Sequence, residues 1–312
     1  KFQSGVPINS IKYLLRENNL NLSSVDVVSV YWNPLNFFGR LFYLLKCLFS
    51  DPSLFIIKLK RSFKVFYGNK NEHSGWIDMF FIRKILKKNF NFLPKKIKYY
   101  DHHHCHIASA FYTSGFEESA VLVMDGAGEN ACTTLSYVNK DKIKVIDSIN
   151  LPHSLGHFYS SITGYLGFKM LEDEYKLMGL SSYGKPIYKD WILNNLLIIN
   201  KNGYLLKTNC LDYHRCLIND FKGTFSKKFG NSRKFNEDIT ENHKNIAASA
   251  QAAFEEVVIH LSKIIKNKTN SKNLCIVGGC GLNCTANGKV LENKIFENIY
   301  VPPAPNDAGV SL

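Results

Sequence analysis

The sequence predicts an α/β protein of two lobes with a cleft between them. Three observations support this class: strongly apolar strand segments, a hairpin of alternating residues, and long helical segments that separate the strands. At 312 residues the chain exceeds the usual span of one domain, which favours two lobes. We place the first lobe at residues 1–240 and part of the second lobe at residues 241–312.

The predicted first lobe opens with a helix, a strand and a helical insertion. Residues 5–20 have apolar side chains at helical spacing, and VDVVSVYW at 25–32 is typical of a buried strand. Residues 34–91 hold apolar and basic helical segments, which we interpret as an insertion or lid. The apolar run NFFGRLFYLLKCLFS is too short for a membrane span and contains Arg40 and Lys46, so no membrane span is predicted.

The middle of the chain predicts strands that alternate with helices. KKIKYYDHH reads as a strand leading into a helix that starts near His103, and AVLVMD as a strongly apolar strand. TTLSYV and KIKVIDSI, joined by NKDK, predict a hairpin that pairs with AVLVMD. SLGHFYSSITGYLGF predicts a helix and LEDEYKLMGLSSYGKP a partly polar, turn-rich segment. Residues 185–240 are predicted to form a connecting region.

The predicted second lobe begins with the longest helical pattern, NIAASAQAAFEEVVIHLSKIIKNKT. NLCIVGGCGLN then reads as a strand followed by a glycine-rich turn, with TANGKVLENK as the next helix. IYVPPAPNDAG reads as a strand that leads into a proline-rich loop. This order places several loops at strand ends, where ligand sites of α/β proteins lie.

Composition restricts the class of partner and compartment. The net charge of +13 invites a nucleic-acid partner, but lysines are dispersed among asparagines and isoleucines, which indicates a composition bias and argues against nucleic acid. The eight cysteines include no CxxC pair, which favours free thiols in the reducing cytoplasm. We therefore expect a cytoplasmic protein.

Two histidines of DHHHCHIASAFY are spaced for metal binding. His102 and His106 are four residues apart, so on a helix both rings point to one side and can bind one ion. A merely polar helix face remains an alternative explanation. Cys105 points in another direction on such a helix and is left out of the ligand set.

Three further motifs place polar groups at strand ends. Asp125 follows an apolar strand and precedes GAGE, so its carboxylate is expected to project from the sheet, although an Asp-Gly turn explains it equally well. In VGGCGLN, backbone amides can hold a phosphate, while tight packing of strand and helix is the competing explanation. Asn283 is a candidate for hydrogen bonding to ribose or phosphate, and Asp307 is a candidate last metal ligand.

Taken in order, the motifs resemble one enzyme family. DHHHCHIASAFY, VMDGAGE, SLGHFYSSITGYLGFKMLEDEYKLMGLSSYGKP, NIAASAQAAFEEV, VGGCGLNCTANGK and VPPAPNDAG, with SGVPINSIKYLLRE at the start and YHRCLINDF in the middle, cover nearly the whole chain. Their order resembles the O-carbamoyltransferase family of nodulation protein U and the cephalosporin and tobramycin carbamoyltransferases. Six motifs in one order are far more specific than any one of them.

The resemblance implies an actin-like ATPase fold, which is ribonuclease H-like, and a divalent metal, iron(II) before zinc. It implies four metal ligands by motif position: His102, His106, Asp125 and Asp307. Gly278, Gly279 and Asn283 would hold the nucleotide part of carbamoyl-adenylate. In such enzymes a C-terminal YrdC-like domain makes this adenylate from carbamoyl phosphate and ATP, and the carbamoyl group then passes to a hydroxyl of a sugar, polysaccharide or natural product. We assign His103 as the general base for that hydroxyl.

The chain also departs from the family pattern. No DASA-like phosphate loop occurs, and the sequence stops at AGVSL without a YrdC-like domain, so we expect a fragment truncated at both ends. Its expected partners are an acceptor, that missing domain and a second copy of the chain. Two alternatives stay open: a tRNA threonylcarbamoyl-adenosine-type enzyme, and a non-catalytic nucleotide-binding remnant. His104 and Cys105 differ from the family, but lie off the ligand face.

Overall fold

The computed structural model describes residues 6–50, 52–53, 55–56, 81–207 and 223–311. The chain divides into two compact units, residues 1–102 and 103–312. The division falls at the first residue of the helix that carries the histidines. The motif YHRCLINDF lies outside the described residues.

The first unit contains helices around a two-stranded parallel sheet. Its elements are the helices Ile8–Glu17, Phe38–Ser50 and Ile82–Phe90 and the strands β1, Val27–Val30, and β2, Lys96–Tyr99. β1 pairs with β2 in parallel. Their inward side chains pack against the helices in a small apolar cluster that includes Leu22, Val30, Ile82 and Leu86. The predicted helical insertion at 34–91 is helical in both parts that are described at length.

The second unit is built on a five-stranded sheet. Its strands are β3, Glu118–Met124; β4, Ala131–Asn139; β5, Lys142–Asn150; β8, Asn273–Val277; and β9, Asn298–Tyr300. A separate hairpin consists of β6, Leu197–Asn200, and β7, Gly203–Leu206. The sheet order is β5-β4-β3-β8-β9, so the strand nearest the sheet's centre is β3.

The strand order confirms the predicted fold class. β3 is antiparallel to β4, which is antiparallel to β5, whereas β3, β8 and β9 run parallel. The first three strands in chain order, β3, β4 and β5, form an antiparallel meander. The next two, β8 and β9, then add in parallel on the other side of β3. This is the ribonuclease H-like order expected of an actin-like ATPase. The lobe boundary at residue 240 stays a prediction; the segments on either side of it contribute to this one sheet, because β8 pairs with β3.

Seven helices of the described chain belong wholly or mainly to this unit. They are the histidine helix, His102–Ser114; Leu155–Tyr165; Glu174–Ser181; Lys189–Asn195; Gly223–Phe229; the long helix, Glu241–Thr269; and Cys284–Glu292. The long helix begins ahead of the predicted Asn245 because Thr240 and His243 form a capping box at its start. It ends at Thr269, and the following residue, Asn270, caps it with a left-handed φ of 53°.

Two local predictions were wrong. VDVVSVYW was predicted to be a buried strand, but within β1 only Val30 is buried and Val27 is 40% exposed. LEDEYKLMGLSSYGKP was predicted to be turn-rich, but Glu174–Ser181 within it is a helix. The helix has eight residues and no side-chain N-cap bond, so its local signal is weak. Its stability comes from packing, since Leu177 is completely buried in the main apolar core.

The central strand β3 is covered on both faces. On one face, Ala120, Leu122 and Met124 belong to the main core, which also contains the buried side of the long helix. On the other face, Val121 and Val123 pack with Ile107 and other apolar residues of the histidine helix. The burial of both faces explains the continuous apolar run of this strand. It also brings the start of the histidine helix to the carboxyl end of β3.

Two general findings apply to the described residues. None of their helices is long and apolar enough to cross a membrane. No disulfide joins their cysteines.

Candidate metal centre

The histidine helix aligns two imidazoles at its first turn. His102 and His106 are fully buried and lie one helical turn apart. A buried imidazole ring is tolerated only when its nitrogens find polar partners. The helix is anchored behind them by Ile107, Ala110 and Phe111 in the apolar cluster on β3.

A backbone carbonyl orients His102. Its Nδ1 lies 3.3 Å from the carbonyl oxygen of Tyr31, and its ring stacks on Trp32 with a centroid distance of 4.5 Å. Such a carbonyl contact fixes the tautomer and leaves Nε2 as the ligand atom, which is the usual arrangement of a metal-binding histidine. Nothing in the local sequence signalled either neighbour.

Two carboxylates complete the group. Asp125 directly follows β3, and Asp307 begins the short 3₁₀ helix Asp307–Gly309 after β9. His106 Nε2 is 3.5 Å from Asp307 Oδ1 and 3.9 Å from Asp125 Oδ2. One potential ligand atom from each of His102, His106, Asp125 and Asp307 lies within 4.8 Å of the others. The structure therefore brings together all four residues that the resemblance implied.

The donor set fits a divalent transition metal. Two imidazole nitrogens and two carboxylate oxygens are ligand types that iron(II) and zinc both accept. The Asp307 side chain is 51% exposed, whereas both histidines are buried. The group is thus accessible from the side on which Asp307 lies.

The glycine turn, residues 278–281, lies directly against this centre. Gly278 has a φ of 94°, and a Cβ placed on it would lie 2.2 Å from the Met124 carbonyl oxygen. Its N–H donates to the carbonyl of Pro305 at 2.8 Å. The next amide, that of Gly279, donates to Asp125 Oδ1 at 3.0 Å. Both amides therefore bind groups of the protein itself.

Asn283 has a structural role that the sequence did not reveal. Its buried carboxamide exchanges two hydrogen bonds of 2.9 Å with Gln251 of the long helix. Its Oδ1 also accepts from the N–H of Ala286 and so caps the helix Cys284–Glu292. The binding of a nucleotide by Gly278, Gly279 and Asn283 stays a prediction.

Tyr159 extends this network to the helix Leu155–Tyr165. Its hydroxyl donates to Gln251 Oε1 at 2.6 Å. Burial raises the pKa of Tyr159 well above its usual range, so the hydroxyl keeps its proton and remains a donor. Burial likewise raises the pKa of Cys280, and the carboxylates of Asp125 and Glu174 add to the effect, so the thiol of the glycine turn is protonated.

His103 lies beside the metal centre. It is buried, its Nδ1 is 2.6 Å from Thr134 Oγ1, and its ring centroid is 6.2 Å from that of His106. A Cβ placed on Gly128 would lie 3.0 Å from His103 Cδ2, so the loop after Asp125 passes close to the His103 ring. Thr134 was missed in the sequence, because a threonine in an alternating strand gives no functional signal. The role of His103 as a base stays a prediction.

Ser154 holds the loop that follows Asp125. Its Oγ donates to the carbonyl of Gly126 at 2.5 Å and accepts from the N–H of His157, which caps the helix Leu155–Tyr165. The neighbouring Gly156 packs so closely that a Cβ would lie 3.0 Å from Gly126 Cα. A serine before an apolar helical run is a recognisable N-cap signal in the sequence.

A sequence model of one protein family matches residues 2–312, and its description is "Carbamoyltransferase N-terminus". An uncharacterized protein of Synechocystis sp., sll1178, is 36% identical over all of this chain and 50% of its own length. Nodulation protein NolNO of Sinorhizobium fredii is 30% identical over all of this chain and 42% of its own length. The chain thus spans about half the length of the curated relatives it matches.

Among solved structures, a full-length HypF in its phosphate- and nucleotide-bound form aligns with 76% of this chain and 48% of its own. The TM-score is 0.45 and the sequence identity is 13%.

Proposed function

Because this chain belongs to the carbamoyltransferase N-terminus family, we propose that it is the carbamoyl-transfer domain of an ATP- and metal-dependent O-carbamoyltransferase. The observation that carries the proposal is the meeting of His102, His106, Asp125 and Asp307 within 4.8 Å. These residues come from three motifs that lie far apart in the sequence. We propose iron(II) as the metal, with zinc as the alternative.

The proposed reaction moves a carbamoyl group from carbamoyl-adenylate to a hydroxyl of a sugar, polysaccharide or natural product. The acceptor oxygen forms a bond to the carbonyl carbon, the bond from that carbon to the phosphate oxygen breaks, and AMP leaves with the electron pair. The hydroxyl proton goes to a base of the protein. A bound divalent cation would supply Lewis-acid polarisation of the carbonyl.

The proposed donor site lies at the glycine turn. Gly278 and Gly279 pack against the Met124 backbone and Asp125 Oδ1, where a Cβ would collide, so the turn lies close to the proposed metal centre beside Asn283. Because the two glycine amides and the Asn283 carboxamide already bind protein groups, we assign these residues to shaping the surface that receives the adenylate. A YrdC-like domain would make the adenylate from carbamoyl phosphate and ATP.

His103 is the residue to which we assign the acceptor's proton. Thr134 fixes the ring through Nδ1, so Nε2 is the nitrogen assigned to proton transfer. The ring lies between His106 and the loop that follows Asp125, and this closeness to the proposed metal centre supports His103 as the base.

Replacing His103 by alanine is expected to lower carbamoyl transfer by about 10²- to 10⁴-fold, the usual contribution of general acid–base catalysis. Metal content should stay at the wild-type level, because His103 is not one of the four ligands. The measurement is AMP release together with metal analysis of the same samples. His104→Ala, on the same helix, is the matched control and should keep full transfer. Unchanged transfer in His103→Ala would remove His103 from the mechanism.

The overall proposal is tested by supplying a YrdC-like domain in trans with carbamoyl phosphate and ATP. We expect the iron-loaded protein to carbamoylate a hydroxyl compound in a panel of sugars and aminoglycosides, with the product detected by mass spectrometry. Nucleotide binding without turnover across the panel would instead favour a non-catalytic remnant. Tight, salt-sensitive tRNA binding would favour the tRNA-modifying alternative.

A further inference from the structure

We infer that the glycine turn positions both carboxylate ligands of the metal centre, with Gly279 as a positioning residue for Asp125. This inference rests on the proposed metal centre and adds a second role to a turn that was predicted to serve the nucleotide. It concerns the described residues of the second unit alone.

The two oxygens of the Asp125 carboxylate have different neighbours. Oδ1 accepts the N–H of Gly279 at 3.0 Å, and Oδ2 faces His106 Nε2 at 3.9 Å. A carboxylate held through one oxygen in this way presents the other oxygen to a metal. Outer hydrogen bonds of this kind orient ligands and are a large part of metal affinity. The Gly279 amide thus fixes the rotation of the Asp125 carboxylate, so that one of its oxygens faces the proposed centre.

The same turn also touches the loop of the other carboxylate. The Gly278 N–H donates to the Pro305 carbonyl at 2.8 Å, and a Cβ on Gly281 would lie 3.1 Å from Pro305 Cβ. Asp307 is two residues further along. One short turn therefore contacts the backbone that carries Asp307 and the side chain of Asp125. We conclude that it sets the spacing between the two carboxylates.

The two glycines differ in the space around them. A Cβ on Gly278 would collide with the Met124 backbone at 2.2 Å, so a substitution there disturbs the fold. A Cβ on Gly279 would instead meet Asp125 Oδ1 at 2.9 Å, which is the end of a side chain that can rotate away. Gly279→Ala is therefore expected to displace the carboxylate while leaving the sheet intact.

The experiment measures binding of Co²⁺, a spectroscopically visible divalent ion, to the metal-free protein. Gly279→Ala should raise the Kd for Co²⁺ by about 10- to 100-fold, the usual loss of affinity when a metal ligand loses its hydrogen-bond partner. The visible absorption bands of bound Co²⁺ should also change, which a purely structural role of the glycine would not cause. Gly288→Ala is the matched control, because a Cβ there meets no atom within 4 Å.

A second variant removes the donor without adding a side chain. Replacing the Gly279 residue by glycolic acid exchanges the amide for an ester, and it should shift Kd and the Co²⁺ bands in the same direction. Wild-type protein that binds no Co²⁺ and no iron(II) would refute the proposed metal centre itself. Wild-type binding with unchanged Kd and spectrum in the glycolate variant would leave the centre standing and overturn the positioning role.

Discussion

Replacing His106 by alanine is expected to abolish stoichiometric metal binding. His106 Nε2 is the atom that faces both carboxylates, at 3.5 Å from Asp307 and 3.9 Å from Asp125. Its loss removes a ligand from the centre of the group, so the Kd should rise by more than the about 10- to 100-fold that losing an outer partner costs. The measurement is metal content after anaerobic iron(II) loading and desalting, with a chelator competition for the Kd.

The expected loss is separable from unfolding. His106 is fully buried, so alanine also leaves a cavity, and circular dichroism must show a native spectrum before the metal result is used. Asp307→Asn is the second variant, because that side chain is half exposed and the change keeps its shape. His104→Ala should retain one metal per chain. Retention of metal by both His106→Ala and Asp307→Asn would show that the ligands lie elsewhere.

Replacing Phe254 by alanine is expected to lower the free energy of unfolding by about 3–5 kcal/mol. Phe254 lies on the buried side of the long helix, and its ring meets Tyr159 edge-on at a centroid distance of 5.1 Å. Alanine leaves a cavity in the main core and removes this aromatic contact. Urea denaturation followed by circular dichroism gives the free energy.

Phe235→Ala is the matched control for that experiment. The Phe235 side chain is 74% exposed, so its loss should change the free energy of unfolding by no more than about 0.5 kcal/mol. Equal effects of the two substitutions would contradict the position of the long helix in the core.

Local patterns in the sequence predicted much of the sheet and the metal centre. The apolar β3, the hairpin of β4 and β5 and the helical spacing of His102 and His106 depend on neighbouring residues, and all are found as predicted. The grouping of all four candidate ligands could be predicted only from the family resemblance, because the residues around Asp307 carry no local signal of a metal site.

What the sequence could not reveal depends on contacts between distant residues. His103 meets Thr134 across 31 positions, Gln251 meets Asn283 across 32, and Gly279 meets Asp125 across 154. No local pattern encodes such pairs, because each follows from sheet order and packing. The helix Glu174–Ser181 was missed for the same reason, since the burial of Leu177 stabilises it more than its own sequence does.

The bond between Gly279 and Asp125 has a thermodynamic consequence for assembly. It closes a loop of 154 residues, which costs about 4–5 kcal/mol of chain entropy, far more than one hydrogen bond returns. The pairing of β8 with β3 closes the same loop through a row of backbone hydrogen bonds and buried side chains, and these interactions offset the lost chain entropy. The carboxylates therefore acquire their orientation only when the parallel half of the sheet is in place, and the proposed binding of a cation depends on the completed sheet.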